Sequence, residues 1–288
     1  MKLYPIQCGN FKLDGGAMFG VVPKSLWERT NPADSKNLIE LGTRSLLVED
    51  GKKLILIDCG LGNKQDEKFF GHYSLYGDES LDKNLKKFGF VREDITDVFL
   101  THLHFDHCGG AIEWNDDKSG YRPAFKNAQF WTNKNHWQWA TEPNPREKAS
   151  FLKENILPMQ ESGQLQFLPT PKTGNYGFAP DLKMDVIFVD GHTEKQMLPV
   201  IQYQEKTIVF AADLIPTAGH IPQVYVMGYD TRPLLTMEEK GKFLKQCVEN
   251  EYLLFFEHDA HHELASLKMT EKGVKLDETF SFNEVFGY

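Results

Sequence analysis

Three histidines and one aspartate fall within six consecutive residues of this chain, directly after a strongly apolar run. The run at residues 98–100 is typical of a buried strand, so the motif begins where that strand ends. Residues two apart on an extended chain face the same way, so His102 and His104 can converge on one metal ion. Asp106 and His107 follow the strand and can turn toward a second ion. Imidazole and carboxylate groups suit Zn²⁺, whereas an ordinary polar turn would have to bring four such ligands together by chance.

Four other apolar runs lead into a side chain that can bind a metal ion. These side chains are Asp58 after residues 54–57, His192 after 184–189, Asp213 after 207–212 and His258 after 252–257. Each run is short and strand-like in composition. Binding residues tend to collect in loops at strand ends, where a rigid sheet positions them. Five such strand ends predict a metal centre at the edge of a sheet.

This series of residues, in this order, resembles the five sequence motifs of the metallo-β-lactamase superfamily, and it extends over nearly the whole chain. The resemblance implies an α/β fold, a four-layer αββα sandwich of two similar halves with the metal site at one edge of the two sheets. The halves are visible as two apolar strands that each end in aspartate, at residues 54–58 and 207–213. We expect one domain over residues 1–288, with residues 1–40 contributing to the pocket or to contacts in a homodimer.

The resemblance also implies two Zn²⁺ ions per chain, with Mn, Co or Fe as other divalent ions that such a site can take. One ion would be held by three histidines: His102, His104 and His192. The other would be held by an aspartate and two histidines: Asp106, His107 and His258. Asp213 would bridge the two ions, and Asp106 and Asp213 would be the carboxylates of the catalytic centre. Asp58 would bind no metal and would instead fix one ligand in place.

Hydrolysis is the reaction that such a centre predicts. Two divalent ions about 3.5 to 4 Å apart can share a water whose pKa falls toward neutrality, and the resulting metal-bridging hydroxide can attack a carbonyl or phosphoryl centre. The chain contains no GxSxG motif for a serine nucleophile. Composition agrees with a small-molecule substrate, because a net charge of −9, from 32 basic and 41 acidic residues, disfavours a nucleic acid partner.

Within the superfamily the chain is most similar to the quorum-quenching N-acyl-homoserine lactonases and to relatives that hydrolyse organophosphate esters. The similarity lies in residues 13–27, 101–107, 213–217 and 228–230. It implies that the enzyme opens N-acyl homoserine lactones. One position departs from the pattern, because known lactonases carry a tyrosine three residues after the bridging aspartate and this chain has Pro216.

An apolar pocket is predicted to accept the acyl chain of such a substrate. Its candidate residues are Met18, Phe19, Trp27, Trp137, His220, Tyr225 and Tyr229. Among these, Tyr225 or Tyr229 can supply the hydroxyl that position 216 lacks.

Three alternatives to a lactonase or organophosphate hydrolase remain open. A glyoxalase II-like thioesterase would need a basic, helical C-terminal segment, whereas residues 268–288 are typical of short strands and turns. A di-iron redox protein would usually carry a carboxylate in place of His104 and an added flavin domain. A non-catalytic metal-binding module would lack one or more of the expected ligands, and all are present.

The remaining sequence features concern location and secondary structure. No run of about 18 apolar residues predicts a membrane span, no apolar core of signal-peptide length follows Met1, and the four cysteines form no CxxC motif. These features predict a cytoplasmic protein. Helices are predicted at residues 82–88, 135–140, 146–159 and 236–250, the last capped by Thr236. Residues 14–22 predict a buried turn or a mobile loop over the site.

Overall fold

Two β-sheets form the centre of the molecule in the computed structural model, which describes residues 1–172 and 174–287. The strands are β1 Lys2–Asp14, β2 Leu38–Asp50, β3 Lys53–Ile57, β4 Asp97–Phe99, β5 Ile112–Trp114, β6 Tyr121–Pro123, β7 Gln129–Asn133, β8 Leu165–Leu168, β9 Tyr176–Ala179, β10 Met184–Val189, β11 Gln196–Tyr203, β12 Lys206–Phe210, β13 Leu253–Phe255, β14 Leu264–Thr270 and β15 Gly273–Phe280. The helices are α1 Gly15–Phe19, α2 Lys24–Trp27, α3 Glu67–Gly71, α4 Leu81–Lys87, α5 Phe105–Cys108, α6 Lys134–Thr141, α7 Lys153–Glu161, α8 Pro233–Glu249 and α9 Phe282–Phe286.

The strand order brings the ends of parallel strands to one edge of each sheet. The first sheet has the order β1-β2-β3-β4-β7-β8, and its strands β3, β4, β7 and β8 run parallel. The second has the order β15-β14-β13-β12-β11-β10-β9, in which β12 and β13 are parallel. The loops after β3, β4, β12 and β13 carry Asp58, residues 101–107, Asp213 and His258 respectively.

The apolar runs in the sequence reflect strands that are buried on both faces. Along β3, Ile55 and Ile57 belong to the core between the two sheets, whereas Leu54 and Leu56 belong to a second core on the outer face of the first sheet. Helices α4, α6 and α7 contribute to that outer core, and α8 covers the second sheet. The arrangement is the predicted αββα sandwich, and the structure confirms it.

A third apolar cluster holds the N-terminal segment against the body of the protein. It includes Phe11, Met18, Phe19 and Trp27. Within residues 14–22, Gly15–Phe19 form the short helix α1, whose Met18 and Phe19 are buried, whereas Val21 beyond it is exposed. Asp14 caps this helix by accepting a hydrogen bond of 2.8 Å from the Ala17 amide.

Two of the four helix predictions differ from the structure by more than one residue. Helix α8 begins at Pro233. Proline suits the first position of a helix because it lacks the N–H group that would have no hydrogen-bond partner there. Thr236 is therefore not the cap. The Thr236 hydroxyl instead donates to the Arg232 carbonyl, one turn earlier. Helix α7 begins only at Lys153, and the preceding residues 146–150 form turns. Within residues 1–172 and 174–287, no helix has the length and apolar character needed to cross a membrane.

Candidate metal centre

The first group of predicted ligands meets at the edge where the two sheets end. The Nε2 atom of His102 lies 3.1 Å from Nδ1 of His104, and that Nδ1 lies 3.2 Å from Nε2 of His192. An oxygen of Asp213, Oδ2, lies 3.1 Å from the same His192 nitrogen. These four side chains are buried. Four potential ligand atoms thus surround one point.

A second group of ligand atoms faces the other oxygen of Asp213. The Nε2 atoms of His107 and His258 are 3.0 Å apart, and Asp213 Oδ1 lies 3.5 Å from the first and 3.1 Å from the second. Asp106 Oδ2 lies 3.7 Å from His258 Nε2. The carboxylate of Asp213 therefore has one oxygen directed at each group, which is the geometry of a bridge.

The side chains of both groups fit divalent metal ions. Pairs of imidazole nitrogens face one another at hydrogen-bond distance, and each such pair needs a proton or a cation between the two lone pairs. Burial and the neighbouring His107 hold the pKa of His102 well below its usual range, whereas the Asp213 carboxylate outweighs burial and raises the pKa of His192 to about 10 and of His258 to about 9, so these rings hold a positive charge that a metal ion would replace. The buried Oδ1 of Asp213 has no hydrogen-bond partner among the described residues. Imidazole and carboxylate are the ligands that zinc takes in catalytic sites.

Asp58 lies behind the ligands. Its carboxylate accepts hydrogen bonds from the amide and the hydroxyl of Thr101, at 2.8 and 2.6 Å, and lies 3.0 Å from Nδ1 of His107. The residue is fully buried and has a positive φ of 54°, in the left-handed region that non-glycine residues rarely adopt. The turn after β3 thus directs Asp58 to the far side of a ligand.

Three further carboxylates contact the candidate ligands on the side away from the proposed metal ions, and the sequence analysis predicts a role for none of them. Asp230 Oδ1 lies 3.0 Å from His192 Nδ1. Glu257 Oε2 lies 2.9 Å from His107 Nδ1, and burial raises the pKa of Glu257 to about 8. Glu147 Oε1 lies 3.5 Å from His104 Nε2. Asp230 belongs to the lactonase-like residues 228–230 and Glu257 directly precedes a ligand, so the sequence carried a signal for both. No pattern in the sequence marks Glu147.

A cavity of about 340 Å³ opens onto the ligands. Its apolar wall consists of Phe11, Leu13, Met18, Leu41, Phe105 and Met227. Polar side chains also line it, among them Tyr73, Arg146, Ser150 and Tyr229. Partial burial raises the pKa of both tyrosines to about 12, although 40% of Tyr229 is exposed, and their hydroxyls stay protonated at neutral pH and can donate hydrogen bonds.

Of the seven predicted pocket residues, Met18 and Tyr229 line this cavity and five do not. Three of the five, Phe19, Trp27 and His220, form an aromatic stack behind the wall. In it, the Phe19 ring lies 4.1 Å from the His220 ring and 5.3 Å from the Trp27 ring.

His220 also lies 2.9 Å from the Met18 carbonyl through Nε2, so it supports the wall without facing the cavity. Tyr225 packs edge-on against Phe19 in the same cluster. Trp137 belongs to the outer core of the first sheet and packs near Phe167, because helix α6 turns it away from the ligands.

Comparison with known proteins identifies the class. Residues 38–246 match the family described as the metallo-beta-lactamase superfamily, and the chain belongs to that superfamily. This family and the lactonases among its relatives define a metal-dependent hydrolase. Among curated relatives, an N-acyl homoserine lactonase from Bacillus cereus is 22% identical over 275 residues, which span 91% of this chain and 94% of the relative.

Two solved structures show how far the fold is shared. A probable metal-dependent hydrolase from Staphylococcus aureus superposes with a TM-score of 0.85 at 27% identity, covering 97% of this chain and 96% of the other. The dizinc quorum-quenching lactonase AidC superposes with a TM-score of 0.77 at 23% identity, covering 97% and 95%. These likenesses extend over almost the whole of each chain, including the N-terminal segment that lies outside the matched family region.

Proposed function

We propose that this protein is a dinuclear zinc hydrolase that opens N-acyl homoserine lactones to N-acyl homoserines. The observation that supports the proposal is that seven candidate ligand residues, with Asp213 between two groups, meet at the base of an apolar-walled cavity. The lactonases among the relatives support the choice of substrate.

The division of the ligand residues between two ions that we propose is the one predicted from the sequence. His102, His104 and His192 would hold one ion, Asp106, His107 and His258 would hold the other, and Asp213 would bridge them. Two divalent ions there would lower the pKa of a shared water and polarise the carbonyl oxygen of the substrate. Manganese, cobalt or iron could occupy the same ligands.

The cavity wall fits a neutral substrate with an acyl chain. Phe11, Leu13 and Met18 come from the first 40 residues, which we propose form part of the pocket, and Leu41 and Met227 complete the apolar surface. Apolar pockets with a few convergent polar groups are the usual form of a small-molecule site.

The hydroxyl that relatives would provide at position 216 can come from another part of this chain. Tyr229 lines the cavity and is protonated at neutral pH. We propose that it donates a hydrogen bond to the substrate carbonyl. Tyr73 lines the same cavity and has the same capacity. Tyr225 lies behind the wall and is a poorer candidate.

The proposed reaction adds one water across the lactone ester. The water oxygen bonds to the carbonyl carbon, the bond from that carbon to the ring oxygen breaks, and the ring oxygen takes up a proton to become a hydroxyl. The amide stays intact because an ester carbonyl is the better electrophile.

Mass spectrometry of the product tests this proposal. We expect N-hexanoyl homoserine lactone to gain one water, and acidification of the product to restore part of the lactone. Tyr229→Phe should lower kcat, with Tyr121→Phe, on a hairpin outside the cavity, as the matched control. Release of free homoserine lactone would contradict ring opening. Rapid hydrolysis of an aryl phosphotriester without turnover of any lactone would favour an organophosphate hydrolase.

A further inference from the structure

The segment 142–150 forms one wall of the cavity, and one of its side chains lies close to a proposed metal ligand. Glu147 within it is buried, with 3% of its surface exposed. Its Oε2 accepts hydrogen bonds from Trp139 Nε1 at 2.7 Å and from Asn144 Nδ2 at 2.6 Å. Its Oε1 lies 3.5 Å from His104 Nε2. Both atoms of this last pair are buried, and among the described residues neither makes a hydrogen bond of normal geometry, so each is the nearest partner available to the other.

The chemistry of His104 gives this pair a role. His104 directs Nδ1 toward the ligand atoms of His102 and His192. A neutral imidazole that binds a metal through Nδ1 carries its proton on Nε2, and that N–H needs an acceptor. Glu147 Oε1 is the acceptor at hand, so it can fix both the tautomer and the orientation of the ring.

Arg146, the neighbour of Glu147, ties the segment to a second loop. Its guanidinium donates to the carbonyls of Gly228 and Asp230, the latter at 3.2 Å. The Asp230 carboxylate holds His192 through Nδ1 at 3.0 Å and accepts from the Met227 amide at 3.1 Å. Glu147 and Asp230 thus contact His104 and His192, two ligands of the same proposed ion. Arg146 joins the two loops that carry these carboxylates.

We propose that Glu147 and Arg146 are positioning residues for one metal ion, the one held by His102, His104 and His192. Glu147 orients His104, and Arg146 fastens that segment to the loop from which Asp230 orients His192. This inference rests on the two-ion centre proposed above. It adds a role for a segment of the cavity wall in metal affinity.

The other proposed ion has separate supports. His107 contacts Asp58 and Glu257 through Nδ1, and Nδ1 of His258 lies 2.9 Å from the Gly42 carbonyl. Among the described contacts, none joins Glu147 or Arg146 to these supports. Loss of Glu147 should therefore lower the affinity for the ion held by His102, His104 and His192 far more than the affinity for the other ion.

Stepwise Co²⁺ titration of the metal-free full chain tests the inference, with chelator competition to set the two binding constants and the visible spectrum to report each site. We expect Glu147→Ala to lower one constant by roughly 10- to 100-fold and to leave the other within about threefold. Glu147→Gln should lose less, because its amide oxygen can still accept from His104. Arg146→Ala should weaken the same constant, to a smaller degree.

Two variants serve as controls. Asp58→Asn should lower the binding constant of the ion held by Asp106, His107 and His258, because Asp58 contacts His107. Glu142→Ala, in the same segment, should change neither, since its carboxylate makes no hydrogen bond among the described residues. Equal weakening of both constants by Glu147→Ala, or no change in either, would overturn the positioning role. A wild-type chain that binds fewer than two ions would overturn the two-ion centre itself.

Discussion

The ring of His107 lies between two carboxylates, and this arrangement makes a specific prediction. Nδ1 is 3.0 Å from Asp58 Oδ2 and 2.9 Å from Glu257 Oε2. When Nε2 binds a metal, Nδ1 carries a single proton for these two acceptors. Asp58 lies at hydrogen-bonding geometry to Nδ1, whereas Glu257 Oε2 makes no hydrogen bond among the described residues and is close enough to accept this proton when Asp58 is replaced. We predict that Asp58→Asn and Glu257→Gln are each tolerated better than the pair together.

The expected magnitudes follow from the contacts. Asparagine at position 58 can keep the hydrogen bond from the Thr101 amide, but its NH₂ group would face the N–H of His107. Loss of such a supporting carboxylate typically costs roughly 10- to 100-fold in metal affinity. Because Glu257 remains in reach, we expect about 10-fold for Asp58→Asn and about 3-fold for Glu257→Gln. The double variant should lose about 300-fold, a coupling of about 1.4 kcal/mol beyond the product of the singles.

Chelator competition on the four purified proteins measures this coupling, with thermal unfolding of each metal-free form as the control for folding. Thr270→Ala, on a strand far from the centre, should leave the affinity unchanged. Losses that simply multiply, about 30-fold for the double variant, would refute the idea that the two carboxylates share one proton.

Two further predictions concern the bridge and a buried lysine. Asp213→Ala should remove an oxygen from each ligand group, so elemental analysis should find both ions lost; two retained ions with full activity would show that the bridge is misassigned. Burial lowers the pKa of Lys240 to about 7 from an ordinary 10.5, while its ammonium group donates to the carbonyls of His220 and Tyr225. Between these two pKa values Lys240 is protonated in the unfolded chain and mostly neutral in the folded protein. The free energy of unfolding should therefore rise with pH through this window. Lys240→Met should lack that rise. Urea unfolding of both proteins at pH 7 and pH 9 measures it, and a difference in unfolding free energy between them that is the same at both pH values would contradict the prediction.

The convergence of the proposed metal ligands could be predicted from sequence, because these residues follow strands whose burial is visible in the sequence. Ile57 and Phe99 pair in register on parallel strands, so the residues after them emerge at one edge. Phe210 and Phe255 do the same in the second sheet and bring Asp213 and His258 to that edge. Short apolar runs are local signals, and the direction of parallel strands converts them into spatial proximity.

The cavity wall could not be predicted in the same way, because it depends on contacts between distant segments. Phe19 and Met18 are adjacent in sequence, yet one packs behind the wall and the other lines it. Trp137 has the composition of a pocket residue, but the rotation of its helix places it in the outer core. Glu147 contacts His104 only because residues 146–150 form turns where the sequence predicted a helix.

The two halves of the fold use similar strand ends for different purposes. The turn after β3 holds Asp58 at a φ of 54°, and the turn after β12 holds Ala212, just before Asp213, at 41°. Asp58 is sealed from solvent and faces Thr101 and His107, whereas Asp213 lines the cavity. Substitution of Asp58 should therefore alter metal affinity without changing contacts to substrate, while substitution of Asp213 changes both. A substrate-dependent effect of Asp58→Asn, measured across lactones of different acyl length with the metal sites saturated, would show that the two strand ends are not separated in this way.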